Sequence, residues 1–148
     1  MKSKHHISTI VIAMIICIAG VLVGLKIEQN STKIFLKIQN QKIFLSVADT
    51  LEERTKGLSG QESLPADEAL LFIFPEPDYY GVWMKEMNFS IDIIWLDVNQ
   101  KIIQIKKDVS PATYPSVFFP SEKSLYIIET VANFSDKNDL KVGMVLDF

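Results

Sequence analysis

Residues 26–148 hold one arginine, Arg54, and neither histidine nor cysteine, because His5, His6 and Cys17 all come earlier in the chain. Counting alone therefore excludes disulfides, thiol nucleophiles, Ser-His-Asp triads and His/Cys zinc sites from this stretch. Carboxylate, lysine, tyrosine and hydroxyl chemistry remain, or binding. Arg54 follows Glu52-Glu53, and its fork of donors suits a carboxylate, a phosphate or the carbonyls of a neighbouring loop. Trp83-Met84-Lys85 puts an aromatic and a cation on one face of a strand, a pairing for a sugar or an anion, or a half-buried tryptophan under a snorkelling lysine. Asp92 interrupts the apolar run Ile91 to Leu96. Once buried it needs a partner, and Lys85 or Arg54 is expected to supply one. Tyr114, with Tyr79-Tyr80 and Phe118-Phe119, lies beside prolines, either as an aromatic rim or as packing for loops. A glycosidase would need two facing carboxyl groups, for which Glu53, Glu68, Asp92 and Glu129 are the candidates. Asp97-Val98-Asn99 is a fragment of a calcium loop without its glycine and distant glutamate, so it reads as a hairpin turn and no metal site is expected.

Positioning these groups falls to a series of short strands. KIFLKIQ and KIFLSVA flank Asn40-Gln41 as a hairpin, with Ile34, Leu36, Ile38 and Ile43, Leu45, Val47 alternating inward. Asp49 or Thr50, with Glu52 or Glu53 three residues on, starts a short helix that Gly57 ends in a left-handed cap. ALLFIF (69–74), bounded by Pro75 and Pro77, reads as a strand buried on both faces. Further strands follow at 80–85, 91–97, 101–107, 124–131 and 144–148, with a proline-containing excursion over 108–123 and a polar loop or single helical turn over 133–140. The expected fold is mainly β: a single antiparallel sandwich, jelly-roll-like or barrel domain with one short helix.

The beginning of the chain is different. ISTIVIAMIICIAGVLVGL, residues 7–25, opens at Ile7, closes at Leu25 and carries no charge. At about 1.5 Å per residue it matches the hydrocarbon thickness of a bilayer. It is longer than the apolar core of a cleaved signal peptide and lacks an Ala-x-Ala site, so a retained transmembrane helix is expected, with signal cleavage as the alternative. Lys2 and Lys4 precede it, which predicts a cytoplasmic N-terminus (1–6), a linker (26–32) and an extracytoplasmic β domain (33–148) on the cytoplasmic membrane. Gly20 and Gly24 have the spacing that lets two such helices approach closely. All 18 acidic residues follow the apolar run with 13 of the 15 basic ones, a net charge of −5 that argues against nucleic acid as a partner.

The segments VADTLEERTKGLSGQESLPADEALLFIF, VWMKEMNFSIDIIWLD, LYIIETVANF and LKVGMVLDF occur in order across residues 42–148. With their R-x-x-G-L-x-G turn, W-M-K strand and I-D-I-I-W-L-D strand, they resemble domain-of-unknown-function family 192. The resemblance implies a compact, mostly β domain of the jelly-roll or sandwich kind, often exported or anchored, and no established activity. The chain departs from the family pattern at Gln61, Ala69-Leu70, Glu86-Met87, Gln100 and Asn133-Phe134, the last two replacing a usual glycine. Together these features predict a non-catalytic module that binds an envelope glycan or a small anionic ligand through Arg54, Trp83, Lys85, Asp92 and Tyr114, without a cofactor. A scaffold for another membrane protein, docking through 109–120, and a glycan-acting enzyme using carboxylate and lysine groups are the alternatives.

Overall fold

A computed structural model describes residues 34–38 and 41–148. The apolar run 7–25, the linker, the orientation argument and the Gly20–Gly24 spacing lie outside the described residues. Among the described residues no helix is long and apolar enough to cross a membrane.

Alternation builds the first hairpin. β1 (Ile34–Ile38) pairs antiparallel with β2 (Gln41–Ala48). Leu36, Ile38, Ile43 and Leu45 are buried, while Phe35 and Phe44 stay outside. The chain then forms α1 (Leu51–Lys56), capped by Thr50. The Thr50 hydroxyl accepts from the Glu53 amide, and Glu53 accepts from the Thr50 amide at 3.1 Å. Gly57 ends the helix at φ +50 and ψ −133, a positive-φ conformation as expected but outside the left-handed helical region.

β3 (Glu68–Asp78) returns beside β2 in parallel. This corrects the purely antiparallel expectation, and α1 with its loop is the reason: parallel neighbours need a crossover of about a dozen residues or more. β3 also runs through Pro75 and Pro77 instead of stopping before them. The prolines lie where its ladder is interrupted, between Ile73 and Asp78, so their missing N–H groups break no regular bond.

Four strands follow: β4 (Val82–Trp83), β5 (Ile91–Leu96), β6 (Ile102–Val109) and, after a 3-10 turn at Pro111–Thr113, β7 (Val117–Phe118). β8 (Ser124–Val131) and α2 (Phe134–Lys137) complete the elements. The protein is mainly β, with one six-stranded sheet in the order β1-β2-β3-β8-β5-β6 and a two-stranded ribbon of β4 and β7. The excursion over 108–123 is thereby partly regular, since it supplies β7. The expected last strand is instead an isolated bridge, Lys101 to Val145, in a tail that also bonds β1 through the Lys37 amide and the Asp147 carbonyl.

β3 and β8 lie at the centre of the sheet, β5 pairs with β8 on the other side, and every residue of β5 is buried. One face gathers Leu36, Ile38, Ile94, Leu96, Ile128 and Leu146. The other gathers Leu58, Phe72, Met84, Ile93, Trp95 and Ile127, and it is on this second side that a cleft opens.

Candidate functional site

The cleft has a volume of about 120 Å³ and lies between the end of α1 with its loop, β3, the Tyr80–Trp83 stretch and β8. Its walls combine apolar side chains, Leu58, Phe72, Phe74, Val82, Met87 and Ile127, with a comparable share of polar surface. Phe74 and Tyr80 stack nearly parallel with ring centroids 3.5 Å apart. The Tyr80 hydroxyl donates to the Glu76 carbonyl at 2.8 Å. Partial burial first, then the charges of Asp78 and Glu76, raise that phenol above its ordinary range.

Arg54 borders the cleft from α1. Its Nη1 donates to the carbonyls of Ile73, at 2.9 Å, and Asp49. The guanidinium carbon lies 5.3 Å from the Phe74 ring centroid, a cation–π distance. Nη1 serves both carbonyls, which fixes the arginine in place at the border of the cleft. Lys56 adds a second cation to the lining.

Glu129 is the group that gives the cleft its chemistry. It stands on β8, in register with Leu70 of β3 and Ile93 of β5, and is 4% exposed. Alternation places it on the same face as Ile127, turned into the cleft. Burial pushes its carboxyl up to about 8, and no donor or cation among the described residues offsets that shift. The ion pairs among those residues, Lys85–Glu86, Lys107–Asp136 and Lys123–Asp78, do not include it. Gly57 keeps the space beside it open: a Cβ there would come 3.4 Å from Phe72 and 4.0 Å from Glu129 Oε2. Burial thus favours the protonated form, which is able to donate as well as accept. It is the single acidic side chain among the lining residues, so the paired carboxyls of a glycosidase are not assembled there.

The residues singled out from the sequence divide into three groups. Arg54 and Trp83 both line the cleft. Lys85 and Tyr114 flank Trp83 without joining the lining; Lys85 Nζ lies 5.9 Å from the indole and Tyr114 meets it edge-on at 6.3 Å. Trp83 is 45% exposed and Met84 is buried, as the strand alternation required.

Asp92 stands apart. It is fully buried, but neither Lys85 nor Arg54 is its partner. Oδ1 accepts from the amides of Asp108, at 2.9 Å, and Asn133, at 3.2 Å, and Oδ2 accepts from Ser135 at 2.8 Å. Its work is to hold together the ends of β6 and β8 and the start of α2. No cluster of metal-ligating side chains occurs among the described residues.

Sequence reasoning reached Glu129 only as one of four carboxylates. The signal that singled out Asp92, an acid inside an apolar strand, was also present in Ile127-Ile128-Glu129.

Two solved structures resemble the domain. One is a candidate transcription regulator from Sinorhizobium meliloti 1021, with a TM-score of 0.70 and 20% identity, covering 76% of this chain and 89% of that one. The other is a protein of unknown function from Novosphingobium aromaticivorans DSM 12444, with a TM-score of 0.71 and 19% identity, covering 77% of this chain and 82% of that one. At these identities the likeness is one of fold. No curated protein matches the chain. Residues 34–148, which include every element of the fold and the whole cleft, match the family DUF192, Uncharacterized ACR, and the chain belongs to that family.

Proposed function

We propose that this domain is a non-catalytic module that binds a small anionic ligand with an apolar or ring-shaped body in the cleft. One observation carries the reading. Burial favours the neutral form of the cleft's single acid while Arg54 and Lys56 line the same space, which makes the cleft a cationic place within a domain of net charge −5. The aromatic and aliphatic walls suit the body of such a ligand, and Arg54 its anionic end. The apolar run 7–25 supports a tethered setting, in which the ligand is met at the outer surface of the cytoplasmic membrane.

Thermal unfolding of the intact chain with a panel of ring-bearing carboxylates, phosphates and neutral sugars tests this. Anions are expected to raise the midpoint in wild type, and Arg54→Gln is expected to abolish that ligand-induced rise. Stabilisation by neutral sugars alone would sink the reading, as would an anion effect undiminished in Arg54→Gln. The exposed indole of Trp83 at the mouth, edge-on to Tyr114, favours a second reading, an envelope glycan laid across the rim. In that case sugars stabilise wild type and lose their effect in Trp83→Ala.

A further inference from the structure

We propose that the cleft takes up its anionic ligand together with a proton, held on Glu129, whose carboxylic acid donates directly to the ligand's anionic oxygen. The inference rests on the anion-binding reading above and adds its chemical control.

Geometry leads to it. Glu129 is a buried side chain on the wall of a cleft, on a central strand, and it takes part in no ion pair among the described residues. A carboxyl in such a place lacks a protein group to complete it, and the ligand is what remains to do so. The groups facing the cleft around it are few. Arg54 and Lys56 approach from α1, and Tyr80 from the β3–β4 connection. β3 and β5 present Phe72 and the register neighbours Leu70 and Ile93, none of which titrates.

In the acid form Glu129 offers one O–H toward an anionic oxygen, and the pair shares one negative charge beside Arg54. In the ionised form two like charges meet in a place that solvates neither, and binding requires a proton from solution. No bond other than the O–H is made or broken, and the proton comes from water or buffer. Burial sets the point of change, at about pH 8 in the unliganded protein. Tyr80 shifts upward, away from that region. The ligand and the proton therefore bind cooperatively, each raising the affinity for the other.

Benzoate is a suitable probe, since its ring suits the aromatic walls and it stays ionised throughout the range needed. Calorimetric titration of the intact protein at pH 6.5 and pH 9, in buffers of differing ionisation enthalpy, reads both affinity and proton uptake. Binding is expected to weaken about tenfold at pH 9, with uptake of about one proton there and almost none at pH 6.5. Glu129→Gln, which keeps a donor but cannot ionise, is expected to bind benzoate at both pH values with little difference between them. A flat wild-type profile without proton uptake overturns the coupling and leaves the anion site standing. An unchanged pH profile in Glu129→Gln overturns the assignment to this residue. Failure of benzoate to bind at pH 6.5 overturns the anion reading itself, and this inference with it.

Discussion

Asp92 and Glu129 occupy neighbouring register positions on the paired strands β5 and β8: Asp92 lies opposite Thr130 and Ile93 opposite Glu129. Both are buried, and strand alternation turns them to opposite faces of the sheet. On Asp92's side, three backbone amides point at the carboxylate. Two of them belong to Asp108 and Asn133, held at φ +48 and +67, so the acid also fixes a backbone that disfavours itself. On Glu129's side there are phenyl rings, aliphatic side chains and open space. Equal burial therefore produces opposite roles. A carboxylate surrounded by donors is a structural fastening, and burial without donors favours the neutral acid.

The sharpest way to break this contrast is to remove the charge isosterically at each position. Asp92→Asn should be the largest effect, a loss on the order of 4 kcal/mol by denaturant unfolding, because asparagine keeps one accepting oxygen but turns its NH2 group toward at least one buried backbone N–H, which is left without an acceptor. Glu129→Gln should act in the other direction. Its folded pKa, about 8, lies above the model value of 4.5, so the folded state holds the proton more tightly than the unfolded chain. The resulting stability is fully present below about pH 4.5 and is lost as pH rises through 8. At pH 7 Glu129→Gln should thus be more stable than wild type by on the order of 3 kcal/mol, with the gain vanishing near pH 4.5. If both substitutions destabilise at pH 7, the contrast between the two sites fails.

Glu53 supplies the smallest effect and a third type of carboxylate, solvated but bonded. Its hydrogen bonds to the Thr50 hydroxyl and amide lower its pKa below the usual range. Its contribution is present above the ordinary carboxylate pKa and lost as pH falls through the lowered folded value, the reverse of Glu129. Glu53→Gln should retain the cap near neutral pH, since glutamine also serves in a capping box, and should flatten only the acid limb of a stability–pH profile.

Much of the fold was legible because it depends on local regularities. The two-residue period located the first hairpin, and the Thr50–Glu53 spacing located α1. The departures from the family pattern also acquire a physical meaning. Glu86, Gln100 and Asn133, which replace its customary Asn or Gly, sit at φ +56, +61 and +67, positions where a residue without a Cβ, or an asparagine, is least strained. The parallel β2–β3 pairing was not legible, since a crossover and a hairpin differ in what lies beside the strand and not in the strand itself. Nor was the path of β3 through Pro75 and Pro77, which depends on where its partner's ladder lapses.

The sequence by itself determined which chemistry is absent, through the placement of every histidine and cysteine, and it determined the family and most of the strands, through local pattern. It also named Arg54 and Trp83, because a lone arginine and an aromatic beside a lysine are visible as residue types. Only the tertiary structure decided which buried acid is a fastening and which faces a cleft. Alternation assigns a side chain to a face, but the donors that satisfy Asp92 arrive from 16 to 43 residues away, and the space beside Glu129 is bordered by Gly57, where a Cβ would come 4.0 Å from Oε2. Whether a carboxyl is solvated, bonded or left neutral is set by its surroundings in space, and those are not written in the order of the chain.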